Sequence, residues 1–277
     1  MKYDKFSLAL IELAQNVGQE SFYSKLKEFF KSNFDFDELL VLQLNKIADA
    51  KLCYRYGVDG IKNRLQGEDA WKYLTRLYVL DPYYRVFADK ERFGFFALEE
   101  IAPDEFANIY NSYFNFLKLS DEVGYLFPID DDNCLHIDLS RFGNERVFSQ
   151  EDKEIFKQLY DPLKLLCAQH LELIGKCADK DEQSQSNVED VLVNFGKEIL
   201  TNKEYQVCQL LLQGHSTKAI GTIMEISYET VKMHKKNIYG KTFLSSQSEL
   251  LALFIDILQQ DTLTQGVDHL AKYVEQQ

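Results

Sequence analysis

The chain is expected to fold as an α+β domain, a sheet flanked by helices, followed by an all-α domain of four short helices. Three observations predict this order. Up to about residue 174, strand-like alternation and helix-like spacing of apolar residues take turns. Farther on, past residue 195, only helical spacing remains. Between the two, the stretch GKCADKDEQSQSNVEDVLVN holds no aromatic residue and reads as a linker whose last residues begin the next helix. The first domain is placed at residues 1–174, the linker at 175–196, the helical domain at 197–258 and a polar C-terminal tail at 259–277. A length of 277 residues suits two domains of ordinary size.

In the first domain, Phe6, Leu10, Leu13, Ala14 and Val17 fall at helical spacing, predicting a helix over 4–17. Residues 38–46 and 51–58 read as two strands. A helical pattern over 69–90 is interrupted at Asp81-Pro82, because the residue before proline is pushed out of the α region. Phe93–Ile101 reads as a short aromatic strand, and Pro103 suits the first turn of a helix running to about Leu119. Residues 123–129 and 134–140 form a hairpin around Asp130, Asp131, Asp132 and Asn133. Ser149 then caps a helix to about Ile174, with Asp152 standing where a capping box has Glu or Gln. The resulting order is α-β-β-α-β-α-β-β-α. A domain of that size hides about 70% of its unfolded surface, enough for a core and an internal pocket.

Composition narrows the function. Hydrophobic residues make up 45% and charged residues 27%, which excludes wholesale disorder. No apolar run approaches the ~20 residues that cross a bilayer, and the N-terminus lacks a signal-peptide core. Five dispersed cysteines and five dispersed histidines form no metal pattern, so reduced thiols, a cytoplasmic location and no bound metal are expected. The net charge of −13 hides an asymmetry: residues 196–243 carry seven basic and four acidic groups, while residues 1–195 carry 23 and 35. One short cationic segment in an acidic chain fits a module that meets nucleic acid while the rest stays off the phosphates.

That segment, Leu200 to Leu253, is a series of capped helices. Thr201-x-x-Glu204 is a capping box, and Val207, Leu210 and Leu211 line one face until Gly214, which suits a left-handed C-terminal position. Ser216 caps a second helix, and a tight turn at Glu225-Ile226 leads to Ser227, which caps a third. In the third, Val231 and Ile238 alternate with Lys232, Lys235, Lys236 and Lys241. Ser246-x-x-Glu249 opens a fourth helix with Leu250, Leu253, Phe254, Ile257 and Leu258. Helix, tight turn and lysine-bearing helix make a helix-turn-helix whose second helix fits a major groove about 12 Å wide. By spacing alone, a small bundle with a solvated lysine face fits equally well.

Resemblance separates the two. The segment resembles the LuxR/FixJ/GerE-type helix-turn-helix, with Leu200, Thr201, Glu204, Val207, Gly214, Ser216, Lys218, Ile220, Ile226, Ser227, Thr230, Val231, Lys232, His234, Asn237, Ile238, Lys241, Glu249 and Leu250 matching in order. It departs from the pattern at Ala219, Gly221, Thr242 and Gln247, where Glu, Ala, Leu and Arg are usual. The resemblance implies that Lys232, Met233 and Lys236 face base edges, and that Thr217, Lys218, Tyr228, Thr230, His234, Asn237 and Lys241 contact the DNA backbone. It also implies a homodimer on two-fold double-stranded DNA, with Leu250, Leu253 and Phe254 split between the core and a two-fold interface for which they are the candidates.

The first domain does not carry the acidic pattern of a phosphorylated receiver. Its run of Trp71, a following Asp81-Pro82, an aromatic strand, a helix and a closing hairpin is similar to the autoinducer-binding domain of quorum-sensing regulators, and to GAF/PAS-like sensors. This resemblance implies a small-molecule effector and the candidate pocket residues Trp71, Tyr73, Asp81, Tyr83 and Phe96. The tyrosine expected after the tryptophan falls nearest Thr75, and the Trp–Asp spacing is shorter than in the family, which sets acyl-lactone specificity in question. Control by dimerisation or a protein partner is the alternative. A fused enzyme is disfavoured, since there is no G-x-S-x-G, phosphate-cradling glycine loop or H-E-x-x-H; no catalytic residue and no cofactor are expected.

Overall fold

The computed structural model describes residues 2–46, 50–57, 77–104, 119–143, 146–174, 188–258, 264 and 266–277. Helices α1 (Lys2–Ala14) and α2 (Phe22–Lys31) precede strands β1 (Glu38–Asn45) and β2 (Lys51–Gly57). A 3-10 turn at Leu77–Leu80 leads to α3 (Pro82–Lys90), β3 (Gly94–Ala97) and the single turn α4 (Leu98–Ile101). The hairpin β4 (Leu119–Pro128) and β5 (Asn133–Phe142) is followed by α5 (Gln150–Ile174). Two expectations change here. Helix α2 was not foreseen, although Phe22, Leu26, Phe29 and Phe30 share its buried stripe. The single strand over 93–101 is a four-residue strand that turns into helix, with the Glu100 carboxylate accepting from the Ala97 amide at 3.3 Å. The helix expected from Pro103 and the start of the one expected from residue 69 lie outside the described residues.

The five strands form one antiparallel sheet in the order β2-β1-β5-β4-β3. Side chains alternate across a strand, so each face takes every second residue. One face carries Leu39, Val41, Ile137, Leu139, Tyr125 and Phe127, buried under α1, α2 and α5. There Phe34 stacks on Phe156 at 4.1 Å and Phe30 meets Tyr125 at 6.3 Å, a dense aromatic layer. The other face carries Leu42, Leu44, Leu126 and Phe96 and shares a second core with α3 and the C-terminal helices. Both faces are therefore covered, and β5, flanked by β1 and β4, has nine of its ten residues buried.

The C-terminal half consists of α6 (Val188–Asn194), α7 (Asn202–Leu212), α8 (Thr217–Ile223), α9 (Tyr228–Thr242), α10 (Gln247–Leu258) and α11 (His269–Val274). The caps form at the residues the sequence marks. Thr201 and Glu204 make the reciprocal box, Ser216 accepts from Ala219 (3.1 Å) and Ser227 from Thr230 (3.0 Å). Ser149 and Asp152 also complete both halves of a box, at 3.0 and 3.1 Å, despite the shorter acid. Gly214 takes the left-handed conformation, φ +91°, that ends α7.

Two expectations about the periphery are corrected. The tail expected to be merely polar contains α11, which buries Leu270 and Ala271. Cys134, Cys167 and Cys208 are free, but Cys53 is disulfide-bonded rather than reduced, with its partner outside the described residues. Sequence spacing cannot reveal which distant thiols meet. The tail is fastened by Asp268, 2% exposed, whose carboxylate accepts from the amides of Gly196 and Glu198 (both 2.8 Å), Leu270 (3.0 Å) and Ala271 (3.1 Å). Replacing Asp268 by Ala strands these donors. The expected loss is about 2–4 kcal/mol in urea unfolding, and a change below about 0.5 kcal/mol would mean the strap carries no stability.

Candidate nucleic-acid interface and effector site

The helix-turn-helix is built by α8 and α9. Val231 and Ile238 are fully buried and fix the inner side of α9 against its neighbours. The outer side then presents Lys232, Met233, Lys236 and Asn237, all exposed and at helical spacing. Tyr228, 51% exposed, lies at the start of α9, and the Lys232 ammonium rests 5.3 Å from its ring centre and 3.6 Å from Glu229. Such exposed contacts are weak and readily exchanged for phosphate or base edges. Lys218 is exposed on α8 beside Thr217.

Other members of the expected set are engaged within the protein. The Lys241 ammonium is held by the Glu204 carboxylate (2.7 Å) and the Ile199 carbonyl (3.2 Å). Burial raises the Glu204 acid, but Lys241 and the Thr201 cap outweigh it and bring it down to about 2. Glu204 is almost wholly covered by area, though its cover is thin, consistent with the ion pair outweighing burial. Thr217 accepts from Lys235 at 3.2 Å, the Thr230 hydroxyl bonds Ser227, and His234 is half-buried with its Nδ1 enclosed. Leu250 and Phe254, which the sequence leaves open between core and two-fold interface, are wholly buried inside the protomer, Phe254 meeting Phe195 edge-on at 5.1 Å. Only Leu253 keeps partial exposure. Apolar spacing on a helix does not distinguish a partner helix of the same chain from one of another.

The departures from the family pattern have local reasons. Gly221 lies against the turn, and a Cβ there would approach the Ile226 carbonyl to 3.0 Å. Glu225 closes that turn in the left-handed region, φ +55°. Gln247 donates to the carbonyls of Leu211 (2.9 Å) and His215 (3.4 Å), tying α10 to the end of α7. Thr242 is buried with its hydroxyl donated to the Ile238 carbonyl.

In the first half, three of the expected pocket residues come together where α3 crosses the second face of the sheet. Trp71 and Tyr73 lie outside the described residues. Asp81 caps α3, accepting from the Tyr83 amide at 2.7 Å, with Pro82 next in the first turn. The Tyr83 hydroxyl donates toward the Phe96 carbonyl (3.2 Å), and its ring stacks on His136 at 4.6 Å. Four groups of the same face were not foreseen: Glu122, His136, Asp138 and Ser140. The Ser140 hydroxyl lies 3.0 Å from Glu122 and 3.4 Å from Asp138, and Arg55 pairs with Glu38 at 2.6 Å at the far end of the row.

These acids are held in an unfavourable setting for charge. Burial raises Asp138 well above the carboxylate range, with Glu122, Glu38 and Asp81 adding like-charge repulsion. Burial and the Asp81 charge push Glu122 up to about 8, and burial pushes Asp81 up to about 6. Burial alone lowers His136 to about 3. Glu122 and Asp81 keep some accessible surface, but both are closely surrounded by protein, so burial decides their titration.

The model of the family "Bacterial regulatory proteins, luxR family" matches residues 198–254. An HTH-type transcriptional regulator of Aeromonas salmonicida, from the exeN 3′ region, is 30% identical over 185 residues, which cover 64% of this chain and 94% of that one. The chain belongs to the LuxR family of bacterial regulatory proteins. The transcriptional regulatory protein DegU of Brevibacillus brevis is 34% identical over 76 residues, 27% of this chain and 32% of its own. The solved structure of the VqsR LBD domain from Pseudomonas aeruginosa has a TM-score of 0.50 at 23% identity, covering 60% of this chain and 96% of that one, and shares the fold. The protein is thus a LuxR-type transcriptional regulator with an α+β domain ahead of its helix-turn-helix. Among the described residues no helix is long and apolar enough to cross a membrane.

The buried acids make stability depend on pH. Glu122 holds its proton more tightly folded than unfolded, so its contribution is fully present below about pH 4.5 and lost as pH rises through about 8. The melting temperature should fall between pH 6 and pH 9, and Glu122→Gln should flatten that slope. An unchanged slope in the variant would place the titration elsewhere.

Proposed function

We propose that this regulator binds two-fold double-stranded DNA as a homodimer in the cytoplasm, and that its first domain, residues 1–174, binds a small molecule that biases the placement of the DNA-binding domain, residues 197–258. The observation that carries the reading is the exposed row Lys232, Met233, Lys236 and Asn237 on α9, backed by the buried pair Val231 and Ile238. A lysine ammonium donates to guanine O6 and N7 in the major groove, and the exposed Lys218 of α8 supplies a backbone contact. Effector control requires that ligand affinity differ between DNA-competent and incompetent arrangements. Two contacts support such coupling: one core joins the second sheet face to α6, α7, α9 and α10, and Asp104 accepts from the Ser216 amide at 2.8 Å, beside Thr217 and Lys218.

Lys232→Ala and Lys236→Ala should each relax base preference at defined operator positions by about 1–3 kcal/mol, read by selection from random DNA. Lys241→Ala should instead lower the melting temperature, because its ammonium is spent on Glu204. Equal losses for both lysine variants on specific and random DNA would defeat the direct-readout assignment.

Asp104→Ala should free the start of α8 and strengthen DNA binding by the effector-free chain about two- to fivefold, as expected for a net hydrogen bond of about 0.5–1 kcal/mol. Fluorescence anisotropy with a labelled duplex measures this, and weaker or unchanged binding would show that the contact does not oppose DNA.

A further inference from the structure

The second face of the sheet carries more acid than its structural role explains. Leu40, Asp138, Gly124 and Phe96 are cross-strand partners in one row, and Glu38, Ser140 and Glu122 in the next. Glu122 and Asp138 therefore stand side by side, with the Ser140 hydroxyl between them. Among the described residues Arg55 is bound to Glu38 at the β2 edge, and the Arg92 guanidinium lies over the Phe96 ring at 5.2 Å. Neither Glu122 nor Asp138 has an ion-pair partner among the described residues. Two uncompensated acids in a covered face are costly unless protonated or matched.

A second observation is independent of the acids. The His136 side chain is 2% exposed, and its Nε2 has no hydrogen-bond partner. That atom lies over Gly124, where a Cβ would come within 3.0 Å of it, so it leans toward the row that holds Asp138, and the buried Tyr83 ring lies over the same glycine with an edge carbon 2.7 Å from that position. Leu40 and Glu122, on the inner strands β1 and β4, nevertheless keep accessible surface, as does Asp81. Accessible surface therefore remains on both flanks of Asp138, which is itself covered.

We propose that this face binds a small organic cation, a protonated amine or guanidinium, seated between Glu122 and Asp138 with His136 Nε2 accepting one of its hydrogen bonds. An ammonium offers three donors and no acceptor, the complement of two carboxylates and an unprotonated imidazole. An acyl-lactone offers chiefly acceptors and an apolar tail, which the same acids oppose. Without the cation the acids hold protons; with it they ionise, so binding releases protons. The groups that set this balance are Glu38 on β1, Arg55 on β2, Asp121 and Glu122 on β4, His136 and Asp138 on β5, and Asp81 and Tyr83 at α3.

This inference rests on the reading that the first domain binds an effector, and the test separates the two. Titration calorimetry of the full chain uses 1,4-diaminobutane, agmatine and N-octanoyl homoserine lactone, at pH 6.5 and 8.5 and in two buffers of different ionisation enthalpy. At least one cation is expected to bind, at least fivefold tighter at the higher pH, with protons released. The Glu122→Gln/Asp138→Asn variant should lose at least tenfold; circular dichroism checks its fold, and single Glu122→Gln serves if the pair fails to fold. Binding of the lactone alone, undisturbed by these substitutions, would overturn the cation while leaving small-molecule sensing intact. If neither cation binds at millimolar concentration, the cation proposal fails, and native mass spectrometry of the cell-derived chain then decides whether any small molecule is retained.

Discussion

Covering both faces of a single antiparallel sheet is the constraint on which the first half of this protein depends. With α1, α2 and α5 on one side and α3 with the C-terminal helices on the other, β5 has no solvent face, whatever its residues. Apolar Leu135, Ile137 and Leu139 fill one side, and His136, Asp138 and Ser140 must be accommodated on the other. Burial then does to each what low polarity does to any ionisable group, favouring the neutral form. A polar cluster arises inside the domain, at the end of the sheet that α3 covers.

The same core couples the two halves. The buried groups of the second face, the side chains of α3 and the helices α6 to α10 belong to one packed cluster, so a change in the sheet's cover is felt by the scaffold of the helix-turn-helix. Within that scaffold, Val231 and Ile238 orient α9, while Asp268 gathers four amides and closes the C-terminal helix onto the domain entrance. The recognition surface is thereby rigid at its base and open at its face.

Legibility differed between the halves for a physical reason. In the helical domain the decisive signals are local: Thr201, Ser216 and Ser227 each cap a helix within three residues, and Gly214 ends one. The Lys241–Glu204 ion pair carries no local mark, because the two residues lie 37 positions apart in sequence and side by side in space. Leu250 and Phe254 fall on the core side of the split between core and two-fold interface, because their apolar spacing is satisfied within the protomer. Helix α2 was missed although its stripe was present, and the 93–101 strand shortened once Glu100 could bond the Ala97 amide.

By itself, the sequence determined the order of the strands, the four helices of the DNA-binding domain, their caps, the basic segment and the membership of Lys232, Met233 and Lys236 in one outward row, since all of these depend on residues within a few positions of one another. Only the tertiary structure decided that the polar side of β5 faces inward. An alternating strand ordinarily turns its polar residues to water, and His136, Asp138 and Ser140 carry no mark of the cover that lies over them. That cover is contributed by segments distant in sequence, and long-range burial, unlike capping or periodicity, leaves no local trace.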